Sequence, residues 1–145
     1  VAYLMIGPPV GSADIPKFEA MSIDGELVTE EIFTDGGLLH FFRSTCGYCV
    51  HEMYNWSQYK VDHPEVKLIA VLHKQSLQQA KSFFTNGIWP FDMVINDPND
   101  LLWKHMKAEY TPQTWLISSD LKVIESYGVM SQEDFQSLSL QLGPI

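Results

Sequence analysis

Cysteine is scarce in this 145-residue chain: there are two, Cys46 and Cys49. Two are too few for a disulfide scaffold, and a domain of this size has no need of one. A bridge between them would close a tiny loop and constrain the unfolded chain little. Structural zinc needs four ligands, and no second cysteine pair exists. His40, His51, His63, His73 and His105 show no ligand spacing, so no metal is expected. Basic residues are also few: 9 Lys and Arg stand against 18 Asp and Glu, a net charge of −9. That balance argues against nucleic acid and against an anionic membrane surface as partners. There is no apolar run long enough to span a bilayer. Repeats, low-complexity tracts and linkers are missing too, which predicts one domain over residues 1–145. Val1-Ala2-Tyr3-Leu4-Met5-Ile6 is apolar but short. It reads either as what remains of a removed signal or anchor or as a simple N-terminal extension.

The composition that is present, 46% hydrophobic and 19% charged, is that of an ordinary globular protein. Within it the stretch Ser44-Thr45-Cys46-Gly47-Tyr48-Cys49-Val50-His51-Glu52 stands out. The apolar run Leu38 to Phe42 leads into it, and a helical pattern leaves through Met53, Trp56 and Tyr59. A strand thus delivers Cys-x-x-Cys onto the first turn of a helix. That turn carries four unpaired backbone N–H groups and the positive end of the helix dipole. A sulfur there ionises more readily, and the thiolate is the form that attacks disulfides. This predicts Cys46 as the exposed nucleophile and Cys49, one turn further in, as the resolving thiol. No cofactor is expected beyond this redox-active pair.

Along the rest of the chain, residues 1–15 read as an extended lead-in and Pro16 to Met21 as a short strand. Asp24-Gly25 is a hairpin turn with Leu27-Val28 returning. Thr29 to Phe33 reads as a capped helical turn. The helix carrying the cysteines should run to about Lys60 and stop at His63-Pro64. Val66 to Leu72 is a buried strand. Ser76 caps a helix through Phe83 and Phe84, closed by Asn86-Gly87. Phe91 to Ile95 is a short strand, and Asp97-Pro98-Asn99-Asp100 opens a helix through Met106. Gln113 to Ile117 and Val123 to Tyr127 are strands joined by a short turn, hence antiparallel. Ser131 to Asp134 is a capping box for a last helix to Leu142, with Gly143-Pro144 as its stop. The order predicts an α/β fold: a central mixed sheet flanked by helices, with an N-terminal β-hairpin added.

From about Val10 to Leu142 the pattern resembles the thioredoxin superfamily, more narrowly the TlpA/ResA-like extracytoplasmic thiol-disulfide oxidoreductases. The matching places are Val10-Gly11, Ile15-Pro16-Lys17-Phe18 with Asp24-Gly25, Cys46-Gly47-Tyr48-Cys49, Thr111-Pro112-Gln113-Thr114-Trp115, and Ser119 to Ile124 with Gly128. The resemblance implies a thioredoxin-like fold and a cis-proline at Pro112. It implies that Gly47, Tyr48, Thr111 and Pro112 border the substrate, with the Thr111 backbone offered to an incoming peptide as in strand addition. For Glu52, three residues after Cys49, it implies a buried carboxylate that takes the proton of Cys49. The plain reading of Glu52 is an exposed helical glutamate favoured by the dipole.

It further implies a thiol- or disulfide-bearing protein substrate, a membrane thiol transporter as electron donor, an extracytoplasmic location, and a reducing role such as apocytochrome c maturation. The sequence departs from the family in having Thr45 before Cys46 where Trp is usual, Gly-Tyr between the cysteines, and His40 where thioredoxin has a buried Asp. The Gly-Tyr pair leaves isomerisation or a wider reducing role open, and a disulfide oxidase of the same fold is a further, weaker alternative. A Sco-like copper role would call for three residues between the cysteines and a distant His. A peroxiredoxin would carry Thr or Ser at position 43 and Pro at position 39, where this chain has Arg43 and Leu39. Arg43 is a candidate for favouring the thiolate.

Overall fold

The computed structural model describes residues 13–43, 45–73, 76–85, 89–97 and 99–141, with side chains at all of these except 80 and 83–85. The first half runs β1 (Ala13–Asp14), β2 (Glu19–Ser22), β3 (Leu27–Thr29), a 3-10 helix (Glu30–Phe33), β4 (Gly37–Phe42), α1 (Gly47–Asp62) and β5 (Leu68–His73). The second half runs α2 (Leu77–Thr85), β6 (Met93–Asp97), α3 (Leu101–Met106), β7 (Gln113–Ile117), β8 (Lys122–Tyr127) and α4 (Gln132–Gln141). Among the described residues the strands form one sheet in the order β1-β8-β7-β4-β5-β6-β2-β3. Strands β4, β5 and β6 are parallel, and β7 and β8 antiparallel, so the sheet is mixed as expected.

The central strands β4, β5 and β7 are buried at every position, which is why they read as continuous apolar runs rather than alternating ones. Successive residues of β4 still serve opposite faces. Leu38 packs with Trp56, Tyr59, Phe135 and Leu138, on the side of α1 and α4. Leu39 and Phe41 pack with Leu102, Met106 and Trp115, on the side of α3. Phe41 meets Trp103 and Trp115 edge-on, with ring centroids 5.8 and 5.2 Å away. Each fully buried side chain of this size contributes about 1.5–3 kcal/mol, so the two faces together clamp β4 between its neighbours.

Boundaries move where polar latches intervene. α1 continues to Asp62, and His63 caps it with backbone angles outside the helical region, because Pro64 disfavours helix at the residue before it. Lys60 Nζ bonds the carbonyls of Pro64 and Val66 and the carboxylate of Asp92, whose Oδ2 accepts from Leu68 N–H at 2.7 Å. Strand β5 therefore starts at Leu68, two residues after the predicted Val66, and β6 begins after Asp92. The N-terminal segment differs from a plain lead-in. Ala13–Asp14 pairs with Val123 and Lys122, while the β2–β3 hairpin adds to the far edge through β6. The caps are as read from the sequence: Gln79 N–H bonds Ser76 Oγ, and Asp134 N–H bonds Ser131 Oγ. Asn86-Gly87, Pro98, and Leu142 to Pro144 lie outside the described residues.

Candidate active site

The parallel strand β4 ends at Phe42, and the chain turns through Arg43 to reach α1 at Gly47. Cys46 is the N-cap of that helix, with extended backbone angles, and its Sγ accepts from Cys49 N–H at 3.2 Å. A sulfur thus fills the place that Ser, Thr or Asp usually occupies at a helix start. Both cysteines are free. Cys46 is half-buried, and Cys49 is fully buried against Phe42, Met53, Ala70 and Leu72. Burial pushes the Cys49 thiol up to about 12, reinforced by its hydrogen bond to Cys46 and opposed by the Arg43 backbone. The inner sulfur is therefore a protonated thiol, and the outer one is open to an incoming group.

The loop before β7 closes the site from the other side. The Thr111–Pro112 peptide bond is cis. The Cys46 thiol donates to the Thr111 carbonyl at 3.7 Å, although 65 residues separate the two. Pro112 is buried and Thr111 half-buried, whereas Gly47 and Tyr48 are exposed on the first turn of α1. The structure thus brings Cys46, Cys49, Gly47, Tyr48, Thr111 and Pro112 to one end of the sheet.

Glu52 is buried, 2% exposed. Its Oε1 accepts from the Trp56 indole N–H at 2.8 Å, and its Oε2 accepts from Met130 N–H at 3.0 Å. Burial raises its pKa, the two N–H donors pull it back down, and the Asp134 charge raises it. The exposed-helix reading of this residue is therefore wrong: position 52 faces the same buried layer as Cys49. Trp56 lies four residues along the same helix, so that partner was readable from spacing. Met130 lies 78 residues away and no sequence signal points to it.

His40 sits in the same layer and is fully buried. Its Nδ1 is 2.8 Å from Thr114 Oγ1, its register partner on β7, and its Nε2 has no hydrogen-bond partner among the described residues. Phe42, Trp56 and Phe91 surround the ring. Burial alone drives its pKa from 6.5 down to about 3, so the ring is neutral. Arg43 is half-buried, and His51 is exposed on the outer side of α1.

One group among the described residues could hold a metal ion: His73, Asp97 and Asp100, with ligand atoms within 4.8 Å of one another. These donors have protein partners. Asp97 accepts from Leu102 and Trp103 N–H at the start of α3, and His73 Nδ1 lies 2.8 Å from Asp100 Oδ1.

The chain matches no protein-family model and no curated protein. It is similar in structure to a protein from Chlorobium tepidum provisionally named as the thiol:disulfide interchange protein DsbE. That match has TM-score 0.79 and 20% identity, covering 92% of this chain and 96% of that one. A secreted disulfide oxidoreductase from Mycobacterium tuberculosis, homologous to E. coli DsbE, matches with TM-score 0.71 and 18% identity, over 83% and 92% of the two chains. The exposed lipoprotein thioredoxin Etrx1 of Streptococcus pneumoniae matches with TM-score 0.72 and 19% identity, over 87% and 98%. With these likenesses and the sheet order in hand, the architecture is identified: this chain has the thioredoxin-like fold that these structures share, with an N-terminal hairpin and a Cys46–Cys49 pair at the head of its first long helix.

Proposed function

We propose that this protein is a thiol-disulfide oxidoreductase that reduces disulfides in proteins outside the cytoplasm. The observation that carries the reading is the asymmetry of the two sulfurs: Cys46 half-buried at a helix N-cap and Cys49 buried one turn behind it. The Cys46 thiolate attacks a substrate disulfide, forms a mixed disulfide and releases one substrate thiolate. Cys49 then gives up its proton, attacks Cys46 Sγ and expels the second substrate thiolate. Two electrons pass to the substrate, and a Cys46–Cys49 disulfide remains on the protein. Glu52 takes the Cys49 proton, a role that its raised pKa and its place one turn inward on α1 support. Thr111 and Pro112 hold the substrate backbone beside Cys46, with Gly47 and Tyr48 on the opposite lip.

A membrane thiol transporter returns the electrons, and apocytochrome c is one substrate of the required chemistry. The secreted and surface-exposed neighbours support the location. Among the described residues no helix is long and apolar enough to cross a membrane. The test is a pair of variants: Cys46→Ser abolishes insulin reduction, whereas Cys49→Ser accumulates a mixed disulfide with substrate. Equal trapping by both would contradict the assigned roles. Direction is read from the reduction potential: a value near about −270 mV supports a reductant and one near about −120 mV an oxidant.

A further inference from the structure

A half-exposed aromatic ring borders the site. Tyr110 precedes Thr111, the residue whose carbonyl meets Cys46 Sγ, and it is 49% exposed. Its ring lies on the backbone of Gly128. A Cβ built on Gly128 would fall 2.8 Å from Tyr110 Oη, 3.0 Å from Cε2 and 3.3 Å from Cζ. Gly128 is not among the glycines with positive φ, so the backbone there suits any residue. A side chain at 128 would require the Tyr110 ring to shift.

The connection that begins at Gly128 continues through Val129, 52% exposed, to Met130, whose N–H holds Glu52. Tyr110 therefore bridges the two loops that flank the redox helix. Thr45, the residue before Cys46, offers no ring. The exposed aromatic faces come instead from Tyr48, 68% exposed, and from Tyr110. Thr45, Gly47, Tyr48, Tyr110, Thr111 and Val129 are all uncharged in a chain of net charge −9.

We propose that Tyr110, seated on Gly128, is a specificity-determining residue that selects extended polypeptide segments carrying an apolar side chain next to the half-cystine. The inference rests on the oxidoreductase reading and names its substrate class. A tyrosine already held in place gives a flat amphipathic surface at little further cost in side-chain freedom. These uncharged positions leave apolar contact as what the ring offers a bound segment.

The experiment is single-turnover oxidation of the pre-reduced protein by two disulfide-bearing peptides, one with Leu or Phe beside the half-cystine and one with Ser. The small disulfide hydroxyethyl disulfide is run in parallel. In the wild type the apolar peptide half-saturates at about tenfold lower concentration, equivalent to about 1.4 kcal/mol. Tyr110→Ala and Gly128→Ala, the second displacing the ring with Tyr110 still present, bring that ratio close to one through half-saturation rather than limiting rate. Tyr110→Phe keeps the ratio. The proposal is overturned if both alanine variants keep the wild-type ratio, or if they lose the hydroxyethyl disulfide reaction in parallel, which would place the defect at the sulfurs. A wild type inert toward all three disulfides would remove the oxidoreductase reading and this one with it.

Discussion

His40 gives the sharpest prediction on stability. The ring is fully buried in its aromatic cage, with Nδ1 on Thr114 and a pKa of about 3. In the unfolded chain a histidine titrates near 6.5. As pH falls from 6 to 4, the unfolded state binds a proton at this position and the folded state does not. Stability is therefore present above about 6.5 and drains away on acidification, at up to 1.36 kcal/mol per pH unit. Across those two units His40 should cost the fold about 2–3 kcal/mol, a large share of a typical stability of about 5–15 kcal/mol. Glu52 works in the opposite sense: its raised pKa makes the folded state the better proton binder, which favours the fold at low pH. The two must be separated by substitution. His40→Asn keeps a polar side chain facing Thr114 and removes the titration. Urea unfolding of the reduced protein at pH 6, 5 and 4, followed by tryptophan fluorescence, should show wild type losing about 2–3 kcal/mol more than the variant over that range. Parallel pH profiles would refute the claim that this imidazole is held neutral.

Glu52→Gln should destabilise the fold by about 1–3 kcal/mol in chemical denaturation, because one amide oxygen cannot accept from both Trp56 and Met130. The same variant should slow release of the mixed disulfide, and unchanged resolution kinetics would make Glu52 a structural residue only. Brief alkylation of the reduced native protein at neutral pH, read by mass spectrometry, should modify Cys46 and leave Cys49 unmodified, since Cys49 is buried with its thiol pushed up to about 12. Double labelling at comparable rates would contradict the assigned asymmetry.

Much of this arrangement was legible in the chain because local signals and fold-level patterning agree. The Cys-x-x-Cys spacing, the apolar run before it and the helical period after it fix one strand–helix unit. The N-cap at Ser76 and the capping box at Ser131 mark two further helices, and in both the serine Oγ accepts from the N–H three residues on. What stayed hidden depends on contacts between distant residues. Glu52 reads equally well as an exposed glutamate near the helix N-terminus until Met130 N–H arrives from the loop before α4. Nothing local to Ala13–Asp14 announces a strand, since the pairing is supplied by β8. The start of β5 is set by Asp92, which stands 24 residues beyond Leu68. Tyr110 is an ordinary loop tyrosine until it is laid across Gly128.

The claim beneath all of this is that Cys46 and Cys49 exchange two electrons as one reversible couple. A redox titration against defined ratios of reduced and oxidised dithiothreitol, with acid trapping and thiol counting, tests it most directly. A single two-electron transition is expected, in which both thiols disappear together within monomers and return on reduction. Loss of one thiol at a time, disulfide-linked dimers, or no transition at all would contradict it.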